Sequence, residues 1–504
     1  MLFFSKEFLF IFIPILSIIS LIFIKLFKNY DIYKILLIVS SMIFYGYWSI
    51  KFLILFFGVI VFNFLCVKYY QRNNKNFYTI LFAIFINLFI LIYFKYFNFL
   101  VENINEVFNL SYNVKNIILP LGISFIIFQQ IAYLWTNISK NNKHTFQDYL
   151  LFSFFFPQII AGPILIVQDV MHQFKGNFPN FKINNIWSGI LLFSIGIFKK
   201  IFIADNIEAW VNGPFSAIIG NSYNSLEYFI ALISYGIQLY FDFSAYSDMA
   251  IGLGLMFGVV LPLNFNSPYK AKSISEFWTT WHMTLNRFLE TMIYFPIALQ
   301  LKRLNLKNNF NQVSKIIFIS TMATFLISGI WHGAGWNFIL WGLYHGLLVA
   351  SHRFYLYLVN ENIIKSFFSE NNLNNFIKIL LTNIFVFISW ILFRSADVFS
   401  SLNFATNLFN IFDGSWNMIL EKEYLGKLII LTLLMNICWF FPNSNQIINT
   451  LEIIKDKKNK QLNIFLKVIK KMQKLYLDVF IVIIFILTYV RYNAENSPFL
   501  YYQF

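Results

Sequence analysis

The chain has 504 residues, of which 58% are hydrophobic and only 12% are charged, and its mean hydropathy is +0.63. Soluble domains carry about 25% charged residues, so this composition excludes a soluble globular protein and indicates an all-α, polytopic integral membrane protein. The net charge of +15 is collected in short clusters between apolar runs, which is typical of membrane topology and not of a nucleic-acid-binding surface.

Apolar runs separated by charged residues divide the chain from end to end. A bilayer span needs about 20 residues and several runs are shorter, so we predict about eleven transmembrane helices together with re-entrant or amphipathic ones. We find neither a linker rich in Pro, Gly or Ser nor an internal repeat, and residues 1–504 are predicted to form a single membrane domain. The runs cover residues 8–24, 35–50, 52–67, 77–94, 116–139, 149–168, 183–198, 228–241, 249–263, 316–352, 379–393, 428–449 and 479–490.

The positive charges predict how these helices are oriented in the membrane. Segments rich in Lys and Arg are expected on the cytoplasmic side, whereas the acidic segment 395–427 is expected outside. The orientation of residues 149–241 stays open, because Pro157 and Pro163 can break a helix. The Lys-rich and Arg-rich segments are residues 25–34, 68–75, 302–315 and 452–478, the last of which includes a Lys- and Asn-rich stretch at 455–474 that is predicted to be an amphipathic surface loop.

Asp242 and Asp248 lie between two apolar runs. Carboxylates at membrane depth need hydrogen-bond partners or water. We predict that both have a structural role in hydrogen bonding to the end of a broken helix, in preference to a catalytic role.

Residues 273–293 show an amphipathic pattern. Ser273 and Glu276 have the spacing of a capping box, which predicts that a helix begins there. The helix either lies flat at the membrane interface, where His282 would be solvated, or lines a polar cavity inside the bundle. The apolar side consists of Phe277, Trp278, Trp281, Leu285, Phe288, Leu289 and Met292, and the polar side of Thr279, His282, Asn286 and Glu290.

His332 lies within residues 316–352, a run that contains no Asp, Glu, Lys or Arg. A polar imidazole in such a run is costly unless it is used, and a buried imidazole tends to stay neutral, so it can accept a proton from a hydroxyl. His345 could approach His332 only if the chain folds back at Gly333–Gly335. No metal-ligand pattern accompanies the two histidines, and we predict no metal site.

Several stretches of this sequence, in this order, resemble the membrane-bound O-acyltransferase (MBOAT) family, in particular its branch of alginate O-acetylation membrane proteins. The resemblance covers about residues 120–352 and is weaker elsewhere. The stretches are Pro-Leu-Gly-Ile-Ser-Phe at 120–125, Phe-Pro-Gln-Ile-Ile-Ala-Gly-Pro at 156–163, Tyr-Phe-Asp-Phe-Ser-Ala-Tyr-Ser-Asp-Met-Ala-Ile-Gly at 240–252, Asn-Phe-Asn-Ser-Pro-Tyr at 264–269, Glu-Phe-Trp-Thr-Thr-Trp-His at 276–282 and Trp-His-Gly-Ala-Gly-Trp at 331–336.

The resemblance implies a ring of tilted helices around a central funnel in the bacterial inner membrane. It implies transfer of an acetyl group from a cytosolic thioester, either acetyl-CoA or an acyl carrier protein, towards O-acetylation of a cell-surface polysaccharide. No bound cofactor and no nucleic acid are implied. The expected partners are the lipid bilayer, the polysaccharide acceptor and a periplasmic acetyltransferase of the SGNH type.

The resemblance also assigns expected roles to individual residues. His332 takes the position of the family's essential histidine and is expected to be the general base, although a covalent acetyl-histidine stays possible. His282 takes the second polar position and is expected either to orient the acceptor or to polarise the thioester carbonyl. Further expected substrate contacts are Trp331 and Trp336 as walls, Gly333 and Gly335 as points of close backbone approach, and Asn286, Arg287 and Tyr294.

The sequence departs from the alginate branch near His282. That branch usually has two Arg at positions 279 and 280 and Arg-Asp at 290 and 291, whereas this chain has two Thr and Glu-Thr. With less positive charge, peptidoglycan is at least as good an expected acceptor as alginate. Two other classes of protein stay open, a transporter or lipid flippase and a structural subunit of a polysaccharide export complex, and neither would cleave an acyl thioester.

Overall fold

A computed structural model shows a helical protein with no β-strand in the part of the chain that it describes. Residues 305–309 of one predicted cytoplasmic segment, and the whole of the predicted segment 452–478 with its loop at 455–474, lie outside that part. The described residues are 1–27, 29–72, 75–139, 144–174, 183–217, 223–304, 310–369, 371–410, 414–448, 479, 481–490 and 500.

The α-helices differ widely in length, from 3 residues to 32. In chain order they are α1 (Ile13–Ile22), α2 (Tyr30–Gly46), α3 (Ile50–Arg72), α4 (Phe77–Leu91), α5 (Phe97–Phe108), α6 (Ile123–Ser139), α7 (Phe146–Phe154), α8 (Val167–Val170), α9 (Ile183–Phe198), α10 (Asp205–Ile207), α11 (Ala209–Phe215), α12 (Ser225–Met256), α13 (Ile274–Thr280), α14 (Met283–Leu289), α15 (Phe295–Leu304), α16 (Phe310–His332), α17 (Trp336–Asn360), α18 (Asn372–Arg394), α19 (Val398–Leu408) and α20 (Lys422–Phe440). Stretches of π-helix join several of them, at Glu7–Phe12, Phe23–Phe27, Ile92–Tyr96, Lys199–Ala204 and Glu290–Tyr294.

Seven helices in the described residues are long and apolar enough to cross a bilayer. Many of their large apolar side chains are exposed, among them Ile54 at 67% and Phe85 at 61%, as expected of surfaces that face lipid. The chain is therefore a multi-pass membrane protein, which confirms the predicted fold class. The seven spans are Glu7–Leu26, Ile50–Arg72, Phe77–Phe108, Asn185–Ile207, Gln312–His332, Asn372–Arg394 and Lys422–Phe440, and the long helices α2, α6, α12 and α17 accompany them.

The chain divides into two compact units, and each is described by itself. The single-domain organisation stays a prediction. Unit 1 comprises Met1–Phe202, Ser244–Leu263 and Ser444–Tyr502, and unit 2 comprises Ile203–Phe243, Asn264–Asn443 and Gln503–Phe504.

Unit 1 contains one buried and one partly buried ion pair between its helices. Lys34 of α2 lies 2.9 Å from Asp148 of α7, and Lys199 lies 2.6 Å from Asp248 of α12. Asp248 also accepts a hydrogen bond of 2.6 Å from the hydroxyl of Ser444. The prediction of a broken helix at Asp242 and Asp248 is wrong, because α12 runs through both positions. The cation balances the charge of Asp248 and the hydroxyl donates a hydrogen bond to it, so the carboxylate does not need the end of a broken helix as a partner.

Unit 2 contains an antiparallel hairpin of α16 and α17, joined by the short segment 333–335. The chain thus does fold back within residues 316–352, which the sequence had left as a condition. The helices approach closely at glycines, since a Cβ placed on Gly342 would lie 2.5 Å from the carbonyl oxygen of Phe325, and one on Gly329 would lie 3.1 Å from the Cα of Gly342. Small residues of this kind let membrane helices pack backbone against backbone. The hairpin fixes His332 at the last position of α16.

Candidate active site

The helix predicted over residues 273–293 is broken in two at His282. Ser273 does cap α13, accepting a hydrogen bond of 3.2 Å from the backbone N–H of Glu276. The helix then stops at Thr280 and restarts at Met283, and His282 between them has the left-handed values φ +42° and ψ +50°. The prediction of one continuous helix is therefore wrong.

Hydrogen bonds from the preceding loop account for this break. The carbonyl oxygen of Thr280, which would otherwise accept from the next helical turn, accepts from the N–H of Asn266 at 2.9 Å. The N–H of Met283 donates to the carbonyl oxygen of Asn264, also at 2.9 Å. The loop thus satisfies the backbone groups that an interrupted helix leaves without partners.

The break carries His282 into the interior of unit 2, where only 1% of the residue is exposed. Its ring meets Phe243 edge-on at 4.8 Å and lies 6.0 Å from the ring of Trp331. Its Nδ1 lies 3.1 Å from Oδ1 of Asn264. His282 lies outside the seven spans, and burial lowers the pKa of its imidazole to about 3. Of the two alternatives for this segment, the structure shows the buried one.

A small cavity adjoins His282. Its volume is about 10 Å³, which gives room for about one water molecule. Asn286, which the sequence predicted to contact substrate, lies on its wall together with hydroxyl-bearing residues of α16. The lining residues are Trp278, His282, Leu285, Asn286, Leu289, Thr324, Phe325 and Ser328.

His332 is also buried, with 6% of the residue exposed. Its imidazole is surrounded by aromatic rings, with Trp341 at 5.0 Å and Phe393 at 5.1 Å, both edge-on. The ring of Trp331 lies 4.8 Å from that of His332 as well as 6.0 Å from that of His282. The structure therefore gathers the two predicted histidines around one indole.

The other residues predicted for the site lie in different surroundings. The side chain of Phe338 occupies the place where a Cβ on Gly333 would lie, so the close approach at this glycine is to that ring. At Gly335 a Cβ would meet the side chain of Asn337. Trp336 begins α17 with 55% of the residue exposed.

Arg287 and Tyr294 lie on α14 and on the π-helical stretch that follows it. The guanidinium of Arg353 lies 4.8 Å from the centre of the Tyr294 ring and 3.5 Å from a carboxylate oxygen of Glu290. Glu290, one of the departures from the alginate branch, thus faces a cation from α17 within the same unit.

His345 has a hydrogen-bond partner at each ring nitrogen. The indole N–H of Trp278 donates to Nδ1 at 3.3 Å, so Nε2 carries the hydrogen and donates to the hydroxyl of Ser389 at 2.9 Å. That hydroxyl in turn donates to the carbonyl oxygen of Val386 at 2.6 Å. Both nitrogens are occupied, which indicates a structural role that the sequence did not reveal.

Substituting leucine for His345 is expected to destabilise the protein without changing the chemistry. The change leaves the buried indole N–H of Trp278 without its acceptor, which costs about 1–3 kcal/mol. Thermal unfolding of the purified protein should occur at a lower temperature, while the activity per folded molecule keeps its pH dependence. His172→Leu, at an exposed histidine, is the matched control and should unfold at the wild-type temperature. A changed pH dependence in His345→Leu would contradict the structural role.

Within the described residues, no group of three or more His, Cys, Asp or Glu side chains is placed to hold a metal ion. Asn264 and Trp341, which contact the two histidines, were not identified from the sequence. Asn264 belongs to the stretch Asn-Phe-Asn-Ser-Pro-Tyr, so the resemblance marked its neighbourhood but not its role.

Comparison with known proteins matches residues 136–395 to the family described as MBOAT, membrane-bound O-acyltransferase family. The chain is 36% identical over 406 residues to a peptidoglycan O-acetyltransferase of Helicobacter pylori, covering 74% of this chain and 73% of that protein. It is 30% identical over 526 aligned positions to the probable alginate O-acetylase AlgI of Pseudomonas putida, covering 100% of both. A teichoic acid D-alanyltransferase of Bacillus subtilis is 28% identical over 247 residues, which cover 48% of this chain and 60% of that protein.

Proposed function

Because the chain belongs to the membrane-bound O-acyltransferase family, we propose that it moves an acetyl group from a cytosolic thioester to a hydroxyl, for O-acetylation of a cell-surface polysaccharide. The single observation that carries this proposal is the pair of buried histidines, His282 and His332, that share the ring of Trp331 as a neighbour. A buried imidazole tends to stay neutral, and a neutral imidazole can accept the proton of a hydroxyl.

Peptidoglycan is the acceptor that we favour, and acetyl-CoA or an acyl carrier protein is the proposed donor. The peptidoglycan O-acetyltransferase has 36% identity to this chain, against 30% for the Pseudomonas putida alginate protein. Thr279, Thr280 and Glu290 stand where the alginate branch usually has Arg, so this chain lacks positive charge that would attract an acidic polysaccharide. In this proposal the chain lies in the bacterial inner membrane, and a periplasmic SGNH-type transferase is its partner in the acetylation of the polysaccharide.

In the proposed reaction, His332 acts as the general base. As the hydroxyl oxygen forms its bond to the thioester carbonyl carbon, the imidazole takes the hydroxyl proton, the carbon–sulfur bond breaks, and the thiolate leaves and is then protonated. Such a base contributes about 10²–10⁴-fold in rate. His282 either orients the acceptor or polarises the thioester carbonyl. An acetyl-His332 intermediate is the alternative route through the same residue.

Radiolabelled acetyl-CoA added to inverted membrane vesicles tests the proposal. An acyltransferase should release the thiol of coenzyme A and move label into the lumen or onto protein. A transporter, a flippase or a structural subunit should release no thiol above the level of vesicles without the protein. Vesicles that contain His332→Ala in equal amount are the matched control, and thiol release at the background level in wild-type vesicles would refute the acyltransferase function.

A further inference from the structure

The side chain of Asn264 points at the break between α13 and α14. It is fully buried, and its Oδ1 accepts hydrogen bonds from the backbone N–H of Thr284 at 3.3 Å and from the hydroxyl of the same residue at 2.8 Å. A backbone N–H only donates, so the atom that faces it must be the amide oxygen and not the amide nitrogen. The first turn of α14 therefore fixes the orientation of this amide.

The same oxygen determines where His282 carries its proton. Oδ1 of Asn264 lies 3.1 Å from Nδ1 of His282, and since an amide oxygen only accepts, Nδ1 must hold the hydrogen. In a neutral imidazole the lone pair then lies on Nε2, and this nitrogen cannot donate. A residue that polarises a thioester carbonyl has to donate a hydrogen bond to it. With this tautomer, His282 can orient the acceptor but cannot donate the hydrogen bond that polarises the thioester carbonyl.

We propose that Asn264 is a positioning residue that fixes His282 as a hydrogen-bond acceptor at Nε2, and that His282 therefore serves the acyl acceptor and does not polarise the thioester carbonyl. This inference rests on the proposed acyltransferase function for the role of His282, but the tautomer itself follows from the hydrogen bonds alone.

The proposed role is compatible with His332 as the base. The hydroxyl of the acceptor has one proton, and His332 takes it. The O–H group that donates to Nε2 of His282 must therefore belong to a water molecule. The cavity beside the ring has room for about one. Such a water donates one hydrogen to Nε2 and has a second with which to hold the oxygen of the acceptor.

The aromatic rings that His282 meets and the other side chains on the wall of its cavity are uncharged. The ring meets Phe243 of α12, Phe265 of the loop and Trp331 of α16. The cavity walls from α13, α14 and α16 are apolar, amide or hydroxyl side chains. A carboxylate introduced at position 264 would face Nδ1 of His282 directly, and we expect it to favour the imidazolium.

The first experiment measures the tautomer directly, without relying on activity. Solid-state ¹⁵N NMR of histidine-labelled protein in bilayers should show His282 with a protonated Nδ1 and an unprotonated Nε2. The protein has six histidines, and the spectrum of His282→Asn assigns the signal by its loss. In Asn264→Ala the population should shift away from this tautomer. A wild-type His282 that is protonated at Nε2 would overturn the positioning role, whatever the protein catalyses.

The second experiment measures the role in acetyl transfer, with acetyl-CoA as donor and an N-acetylglucosamine tetrasaccharide as acceptor probe in proteoliposomes. Asn264→Ala should raise the KM for the tetrasaccharide about tenfold and leave the KM for acetyl-CoA unchanged. Asn264→Asp keeps the acceptor oxygen and should restore transfer at high pH. Because the carboxylate raises the pKa of His282, its activity should be lost on acidification at a pH about 1–3 units above that of the wild type.

Asn266→Ala is the matched control from the same loop. Asn266 is exposed, its side chain accepts from Asn443 at 3.0 Å, and we expect both KM values and the pH profile to stay at the wild-type values. A rise in the KM for acetyl-CoA alone, or an unshifted pH profile in Asn264→Asp, would overturn the assignment of His282 to the acceptor. Absence of any transfer by the wild type would instead count against the proposed function, and the NMR result would still decide the positioning role.

Discussion

His332→Ala is expected to reduce acetyl transfer by about 10²–10⁴-fold, the contribution that a positioned general base makes. The imidazole is buried among Trp331, Trp341 and Phe393, and none of these three side chains can take a proton in its place. The measurement is the release of coenzyme A thiol and of acetylated glycan by equal amounts of folded protein in proteoliposomes.

His172→Ala is the control for this result, because His172 is exposed and lies in unit 1. It should transfer acetyl groups at the wild-type rate. Size-exclusion chromatography of both variants checks that the folded fraction is the same. Near-normal transfer by His332→Ala would remove His332 from the mechanism and leave His282 as the remaining candidate base.

Gly329→Val is expected to have the largest effect on folding. A Cβ at this position would clash with the carbonyl oxygen of Phe338 and lie 3.1 Å from the Cα of Gly342, so the substitution would force α16 and α17 apart. Overpacking of this kind typically costs about 1–3 kcal/mol, and here it meets backbone that cannot move aside as a side chain can. We expect a marked fall in the amount of monodisperse protein and in its unfolding temperature, with activity lost because His332 lies one turn further along α16.

Gly426→Ala provides a matched comparison. Gly426 lies within α20, and a Cβ there would have no atom within 4 Å, so alanine should leave stability unchanged or raise it by about 0.5–1 kcal/mol. If Gly329→Val unfolds at the same temperature as Gly426→Ala, the close contact between α16 and α17 does not stabilise the hairpin.

Hydropathy and charge were sufficient to predict the fold class, and they allowed the hairpin of α16 and α17. The uncharged run at 316–352 is too long for a single span, and its only tight turn is at Gly333–Gly335, so a fold-back follows from bilayer thickness. The same method split α12 in two at Asp242 and Asp248. Hydropathy does not identify Lys199, 49 residues away along the chain, as the cation that pairs with Asp248 in the folded unit.

The site was predicted in outline and missed in detail. Periodicity correctly marked Phe277, Trp278 and Trp281 as buried, but it placed His282 on a continuous helix. The break contains no glycine or proline and is made by hydrogen bonds from Asn266 to Thr280 and from Met283 to Asn264, which join residues 14 and 19 positions apart. Hydrogen bonds between residues far apart in the chain cannot be read from the periodicity of a sequence. The same is true of the bonds of Trp278 and Ser389 to the ring of His345.

The left-handed backbone at position 282 decides how this residue can be probed by mutagenesis. Histidine, asparagine, aspartate and glycine tolerate such dihedral angles, whereas β-branched residues are strained there. In a saturation library, asparagine and glycine should therefore report the loss of the imidazole, while valine and isoleucine report mainly the loss of the turn. Alanine, the usual substitution, mixes the two effects. We therefore expect the order of variants at position 282 ranked by protein abundance to differ from their order ranked by activity.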